Sequence, residues 1–357
     1  MSLTRRALLG ASAGLALSGH RPAAAAVPDT CGYLKGETMS FIVPFAAGGG
    51  YDTYARLLAT RMETLVDAEI VVGNLSSTAL GAKKIRDAAP DGLTLGLVNA
   101  AETILRRLLE GGEHPDFFAD FTVLGQIAET PTAWVVAANS GIGSIEDLMR
   151  LAGQRPVVAG TRSVSNVDFA GMAVVSHLAG FPLESVSGYA GSSEVILSMI
   201  RGEVDLASFS YESLRPFLQA GDVRPILQLS MEPVPDAPEL RDVPVTGGPD
   251  GWLTRRAAQR GADLAEARRL GDGLVAVSLQ PRTILTSKGL DPDRADCLKR
   301  LFIAAATDSG LAEEAQKLKR SVTPVPGDEL VARLQALEPI LAGFVPIIRE
   351  AQTRTRS

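Results

Sequence analysis

Aromatic residues make up only 5% of this 357-residue chain, histidine occurs three times and cysteine twice. Basic residues do not exceed acidic ones: 35 Lys+Arg stand against 41 Asp+Glu, a formal net charge of −6. An acidic chain with few stacking rings is poorly suited to nucleic acid, whose phosphates need a basic field. No uninterrupted apolar run reaches the roughly 20 residues of a membrane span. The motifs of zinc hydrolysis, dithiol chemistry and serine–lysine acylation (H-E-x-x-H, C-x-x-C, S-x-x-K) are all absent. His114 lies in a Gly-Gly-Glu-His-Pro turn. His177, in an apolar helix, reads as a core residue rather than a base. Single carboxylates such as Asp205 read as structural.

What is present is an ordinary globular balance of 46% hydrophobic and 21% charged residues, with 35 Gly and 21 Pro. The composition excludes a disordered or collagen-like chain, and the length fits about two domains with sufficient core. Residues 1–26 stand apart. They carry Arg5, Arg6 and Arg21 and no acid, then a weakly apolar run from Ala7 to Ser18, then the tract Ala23 to Ala26. This is the layout of a cleavable export signal. Thr4-Arg5-Arg6-Ala7-Leu8-Leu9 reads as the twin-arginine kind, with the Sec route as the alternative. A G-x-S-x-G match at Gly10 to Gly14 falls inside this segment and is discarded with it. Export to an oxidising compartment leaves Cys31 and Cys297 as one long-range disulfide or two free thiols.

Past the signal, apolar strands and amphipathic helices alternate: strands at 40–45, 69–72 and 93–98, helices at 52–65 and 81–89. After Thr130-Pro131 the pattern restarts, with strands at 133–138, 157–159 and 204–209 and helices at 145–152, 169–178 and 194–201. Pro and Gly punctuate 225–251, and helices return at 257–269, 292–308, 311–319 and 328–350. Strand–helix alternation predicts wound, parallel α/β units, which bind ligands where strand carboxyl ends meet helix starts.

Three loops stand at such places. Pro44-Phe45-Ala46-Ala47-Gly48-Gly49-Gly50-Tyr51-Asp52 joins a strand to a helix. Its glycines let backbone N–H groups approach a ligand at the positive end of the helix, with Asp52 as N-cap. It is an anion cradle without a cation; neither a Walker loop nor G-x-G-x-x-G fits it, and Gly141-Ile142-Gly143 fails the latter too. Gly160 to Asp168 offers Thr161, Ser163, Ser165 and Asn166 as neutral donors, with Arg162 read as a solvated surface residue. Ser187 to Glu194 opens another helix, with Tyr189 either in the core or at the ligand.

Taken in order, these stretches resemble the Bug-type extracytoplasmic solute receptors of tripartite tricarboxylate transporters. The resemblance rests on V-P-F-A-A-G-G-G-Y-D-T-Y-A-R-L-L-A (43–59), V-V-G-N (71–74), A-A-P-D-G-L-T-L-G (88–96), and V-S-G-Y-A-G-S-S-E-V-I-L-S-M-I-R-G-E-V-D (186–205). G-D-V-R-P-I-L-Q (221–228), D-V-P-V (242–245) and V-P-G-D-E-L (325–330) extend it over nearly the whole chain after the signal. It implies an α/β, bilobal periplasmic-binding-protein fold of the type II, Venus-flytrap kind, with a cleft between two wound lobes. Lobe 1 is expected at 27–135 and 246–357, lobe 2 at 136–245. The implied function is capture of a small organic carboxylate in the periplasm and delivery to a membrane permease. Presentation of the ligand to a histidine kinase, or an exported hydrolase, are the alternatives. The implied receptor is a monomer, not an enzyme, with no cofactor, metal, nucleic acid or membrane span of its own. Carried over by position, Ala47, Gly48, Gly49, Asp52 and the segment 74–78 (Asn74, Ser76) face the ligand from lobe 1. Thr161, Ser163, Ser165, Asn166, Tyr189, Gly191 and Ser192 face it from lobe 2. The chain departs from the family at Ser163 and Ser165, which stand where glycines are usual, and at Tyr51, which is bulkier than usual.

Overall fold

The structure, a computed structural model, describes residues 29–279 and 281–356; the expected export signal at 1–26 lies outside them. After a 3-10 turn at Asp29–Leu34, the chain forms β1 (Thr38–Val43), α1 (Gly50–Glu63), β2 (Glu69–Asn74), α2 (Thr78–Arg86), β3 (Thr94–Asn99), α3 (Ala100–Glu110), α4 (Phe117–Asp120) and β4 (Phe121–Ala128). It continues through β5 (Thr132–Ala137), α5 (Ile145–Ala152), β6 (Val157–Thr161), α6 (Val167–Ala179), β7 (Leu183–Ser187), α7 (Ser192–Ile200), β8 (Ala207–Ser210), α8 (Tyr211–Ala220) and β9 (Val223–Leu229). The last third holds α9 (Trp252–Gln259), α10 (Leu264–Ser278), β10 (Arg282–Ser287), α11 (Pro292–Ala306), α12 (Ser309–Lys317), β11 (Val325–Pro326), α13 (Gly327–Gln352) and β12 (Thr355–Arg356).

The strands form one six-stranded sheet, in the order β11-β4-β10-β3-β1-β2, and two three-stranded sheets, β12-β7-β6 and β8-β5-β9, joined by a bridge between Ala159 and Leu206. The wound parallel expectation holds for β1, β2 and β3 and for β6 and β7. It fails for β10, which inserts antiparallel between β3 and β4, and for β5, antiparallel to both β8 and β9. In the large sheet the mixture arises because β10 enters from far along the chain, a pairing no local periodicity reveals.

The chain leaves the large sheet at 129–131 and returns to it at about 279–282. The two crossings are tied together: the Thr130 N–H donates to the Leu279 carbonyl (2.7 Å) and the Thr132 hydroxyl to the Ser278 carbonyl (2.7 Å). The division expected at 135/136 and 245/246 is therefore displaced. It cuts β5, and it assigns α9 and α10 to the large sheet although both pack on α6 of the smaller unit. The helix expected at 257–269 is two helices, and β9 occupies part of the punctuated segment.

Burial follows composition. The helix α6 is apolar on nearly every face and is buried along most of its length, capped by the Asn166 side chain accepting from the Phe169 N–H and ended by Gly180 in the left-handed region (φ 70). His177, expected in the core, is an exposed position on that helix. By length and hydropathy α13 alone among the described helices resembles a membrane span. It carries Leu330, Leu334, Leu341, Phe344 and Ile348 as a single buried stripe packed along α3, β4, α6 and α10. That stripe joins one apolar core running across both units.

Cys31 and Cys297 form a disulfide that ties the 3-10 turn to α11 across 266 residues of sequence. Opening so long a loop should cost about 2–5 kcal/mol. Calorimetry with and without reductant is expected to show a fall of several degrees in the melting temperature. A Cys31→Ser variant should show the same fall without reductant, and no further loss with it.

Candidate functional site

A cleft of about 630 Å³ opens where the two units face each other. The large-sheet side supplies Pro44, Phe45, Ala46, Gly49, Gly50, Tyr51 and Ser76, with Arg282 at its floor; the other side supplies Arg162, Asp168, Ala190, Gly191, Ser192, Phe209, Ser210 and Ser213. Three helices begin on this cleft: α1 after Gly49, α7 after Gly191 and α8 after Ser210. None of the three has a side-chain cap, whereas α2, α3, α5 and α6 are each capped by Ser or Asn. Their first-turn N–H groups thus lack the usual side-chain acceptor at the ends that carry partial positive charge, although in α8 the Tyr211 N–H donates to the Pro131 carbonyl (2.8 Å). An anion is what such an arrangement holds.

Of the residues expected at the ligand, Gly49, Ser76, Gly191 and Ser192 line the cleft. The others hold the loops in shape. Asp52 is not the N-cap, because α1 starts two residues earlier; from inside the first turn its carboxylate accepts the Gly48 N–H (2.8 Å) and pairs with Arg56 (3.0 Å). Burial pushes its pKa up, but the hydrogen bonds from Arg56, Gly48 and Asn74 outweigh that and hold it below the usual carboxylate range. Asn74 spans the same loop, donating to the Phe45 carbonyl (3.1 Å) and accepting from Arg56 (3.2 Å). Ala47 and Gly48 sit exposed on the loop, and Gly48 is at φ +75, a conformation that side chains disfavour. On the other side the Thr161 hydroxyl donates to the Ser163 carbonyl, Ser163 accepts the Ser165 N–H, and Asn166 caps α6. Ser165 is buried within that turn. Tyr189 bonds Ser198 (2.6 Å) and packs on the apolar cluster beneath α7, so the core alternative describes it.

Arg162, expected in solvent, lies across the Phe45 ring and pairs with Asp168 (3.3 Å) and Glu102 (3.6 Å). Burial lowers its pKa, but the two carboxylates outweigh burial and keep it above the ordinary arginine value. Phe45 in turn stacks on Tyr51, ring centroids 3.7 Å apart.

The cleft floor is an ion cluster that sequence reasoning missed. Glu212 of α8 accepts from Arg282 (3.1 Å), Arg320 (3.0 Å) and the Tyr54 hydroxyl (2.9 Å). Tyr54 also donates to the Ser321 carbonyl (2.6 Å), and Arg282 also bonds Thr130 and lies over the rings of Tyr51 and Tyr54. Burial first, and the Glu212 charge second, push the Tyr54 phenol well above the usual tyrosine range, so it donates at any physiological pH. Arg282 has 1% of its side chain exposed, which explains Gly50: a Cβ there would stand 3.0 Å from the guanidinium. Lys319, in the left-handed region (φ 55), turns the chain after α12 so that Arg320 and Ser321 reach the cluster. The only sequence signal was Tyr51 and Tyr54 on one helix face, which does not reveal an arginine over 200 residues away.

Comparison with known proteins agrees with this geometry. The family model described as tripartite tricarboxylate transporter family receptor matches residues 54–257, more than half of the chain. The chain belongs to this family. It is 26% identical over 223 residues to a UPF0065 protein in the tcbD-tcbE intergenic region of Pseudomonas sp. strain P51, an alignment covering 60% of this chain and 64% of that relative's length. Among solved structures, periplasmic binding protein BugD superimposes with a TM-score of 0.69 at 18% identity, covering 90% of this chain and 99% of that one. MatC from Rhodopseudomonas palustris, with bound malate, gives 0.67 at 18% identity over 87% and 99% of the two chains. The fold is that of a bilobal periplasmic binding protein, and the family is described as one of receptors, not enzymes.

Removing the shared carboxylate of the ion cluster tests its weight. Glu212→Gln leaves two buried guanidiniums without their counterion, which should cost about 3–5 kcal/mol. Denaturant unfolding should show that loss, whereas Tyr54→Phe, which removes one hydrogen bond to the carboxylate but leaves both ion pairs in place, should cost less, about 1.5–3 kcal/mol.

Proposed function

We propose that this chain is a periplasmic receptor that closes around a small organic carboxylate and delivers it to a membrane permease of the tripartite tricarboxylate type. The observation that carries the reading is the convergence of three uncapped helix N-termini, those of α1, α7 and α8, on one cleft. Arg162 already faces Glu102 and Asp168, and Arg282 and Arg320 share the one carboxylate of Glu212, so the backbone at the helix starts supplies the donors that remain without a partner. Malate bound to MatC supports small carboxylates as ligands for this fold. The export-signal pattern of residues 1–26 and the Cys31–Cys297 disulfide support the periplasm as the place of action.

In this reading the lobes meet at the paired crossings, 129–131 and 279–282, which serve as the hinge. Gly49 and Ser76 act from one lobe, Gly191 and Ser192 from the other. Ligand stabilises the closed form because only there do both lobes reach it.

A thermal-shift screen of residues 27–357 against small carboxylates, each paired with its amide or ester, tests the reading. Ligand at 100 times its dissociation constant should add about 2.7 kcal/mol, a shift of several degrees that masking the carboxylate abolishes. Gly191→Leu gives the matching control. Gly191 has an extended backbone (φ −166) and a Cβ there meets nothing within 4 Å, so the variant should keep the unliganded melting temperature and lose the ligand shift. An undiminished shift in that variant would remove α7 from the site.

A further inference from the structure

The cleft has a counterpart, a second space between the same two lobes on the far side of the crossings. It measures about 1660 Å³, against about 630 Å³ for the cleft, and the two share no lining residue. Gln316 and Thr323 stand in its wall on the large-sheet side, Glu232 and Pro235 on the other, and Pro131 and Leu279 come from the crossings themselves.

The first turn of α8 is the partition. Ser210 and Ser213, three residues apart and so on one side of the turn, line the cleft, while Tyr211, Glu212 and Arg215 line the space behind. The Tyr211 N–H, donating to the Pro131 carbonyl (2.8 Å), fixes this turn to the first crossing. The Glu212 cluster lies within the partition, with Arg282 on the cleft side and Arg320 on the other. The two spaces therefore flank the line about which the lobes would turn.

A rotation about that line reaches the rear space only if its walls do not bend, and both walls are pinned. In the smaller lobe the segment after β9 runs Pro233-Val234-Pro235-Asp236. The Val234 N–H donates to the Gln228 side chain (2.9 Å), which itself donates to the Leu240 and Val243 carbonyls (3.1 and 2.6 Å). In the other lobe the Arg320 N–H closes the end of α12 on the Ala315 carbonyl (2.8 Å). Thr323 then ties the chain to β4 and the first crossing, its N–H donating to the Ile127 carbonyl (2.9 Å) and its hydroxyl accepting the Glu129 N–H (3.3 Å). Asp236 (φ 56) and Lys319 (φ 55) are the non-glycine residues with positive φ among the described residues, one in each wall. Backbone of that kind persists where its surroundings determine it.

We propose that the rear space and the cleft are the two ends of a lever: opening the cleft narrows the rear space, so bulk placed there holds the lobes closed. The proposal rests on the receptor reading above and adds to it a control point that touches no ligand. Because the apparent dissociation constant is the intrinsic one divided by the closed fraction, whatever fills the rear space tightens the receptor's grip from a distance.

The test is made on unliganded protein. Gln316 and Glu232 are exposed, stand in opposite walls and take no part in the Glu212 cluster. Gln316→Trp and Glu232→Trp each place an indole in the rear space, and Glu313→Trp, exposed on α12 outside that space, is the control. Spin labels on Leu80→Cys in α2 and Leu197→Cys in α7, exposed positions in different lobes, report the separation of the lobes by pulsed electron resonance. The two native cysteines are joined to each other and take no label. Melting temperatures confirm that each variant is folded. The ratio of short to long label distances should rise about tenfold or more in both indole variants and stay unchanged in the control, as expected when opening drives an indole into a packed wall. An unchanged distribution, or a shift to longer distances, in either folded indole variant overturns the lever. An equal shift in the control also overturns it. The receptor reading fails by a different result, silence of the unaltered protein in the thermal-shift screen.

Discussion

A carboxylate taken out of water must be met by cations or donors from whatever the fold can bring to it, and Glu212 is met entirely from other parts of the chain. Arg282 comes from β10, Arg320 from the turn after α12 and Tyr54 from α1, while Glu212 itself stands in the first turn of α8. The start of α8 is thereby fixed against the start of α1, and Gly50 has no side chain because Arg282 passes there. The cleft takes its geometry from this cluster. Replacing such a cluster with apolar residues is often no less stable, so its weight lies in position more than in net free energy.

Positional control explains a feature of the cleft that is otherwise odd. Its two lining arginines are both tied to carboxylates, Arg162 to Glu102 and Asp168 and Arg282 to Glu212, which Arg320 shares. In the proposed receptor the charged side chains work as struts between elements, and the backbone at the helix starts is left to face the ligand. The two tasks, rigid framework and anion recognition, are divided between two kinds of group.

The loops that open on the cleft were legible in the sequence because their demands are local. Gly48 must take a positive φ, Gly50 must allow a close approach, and a helix start after a glycine announces itself in composition. Even there the side chains misled: Asp52, Asn74 and Thr161 look like ligand groups by type but bond their own loops, and Asn166 gives its carbonyl oxygen to the cap of α6, while its amide nitrogen has no partner among the described residues. What was illegible meets across the fold. Tyr54 and Glu212 are 158 residues apart, Glu212 and Arg320 are 108 apart, and β10 pairs with strands laid down far earlier in the chain. The same distance hid the true crossings, because α9 and α10 follow the smaller unit in sequence and also pack on it.

The uncapped starts of α1, α7 and α8 have a consequence for how such a receptor changes over generations. A codon change alters a side chain; it does not delete a main-chain N–H, except where it writes in proline. In the proposed receptor the grip on the acid group is therefore lost to proline, or to bulk at a helix-start glycine such as Gly191, rather than to the exchange of a donor side chain.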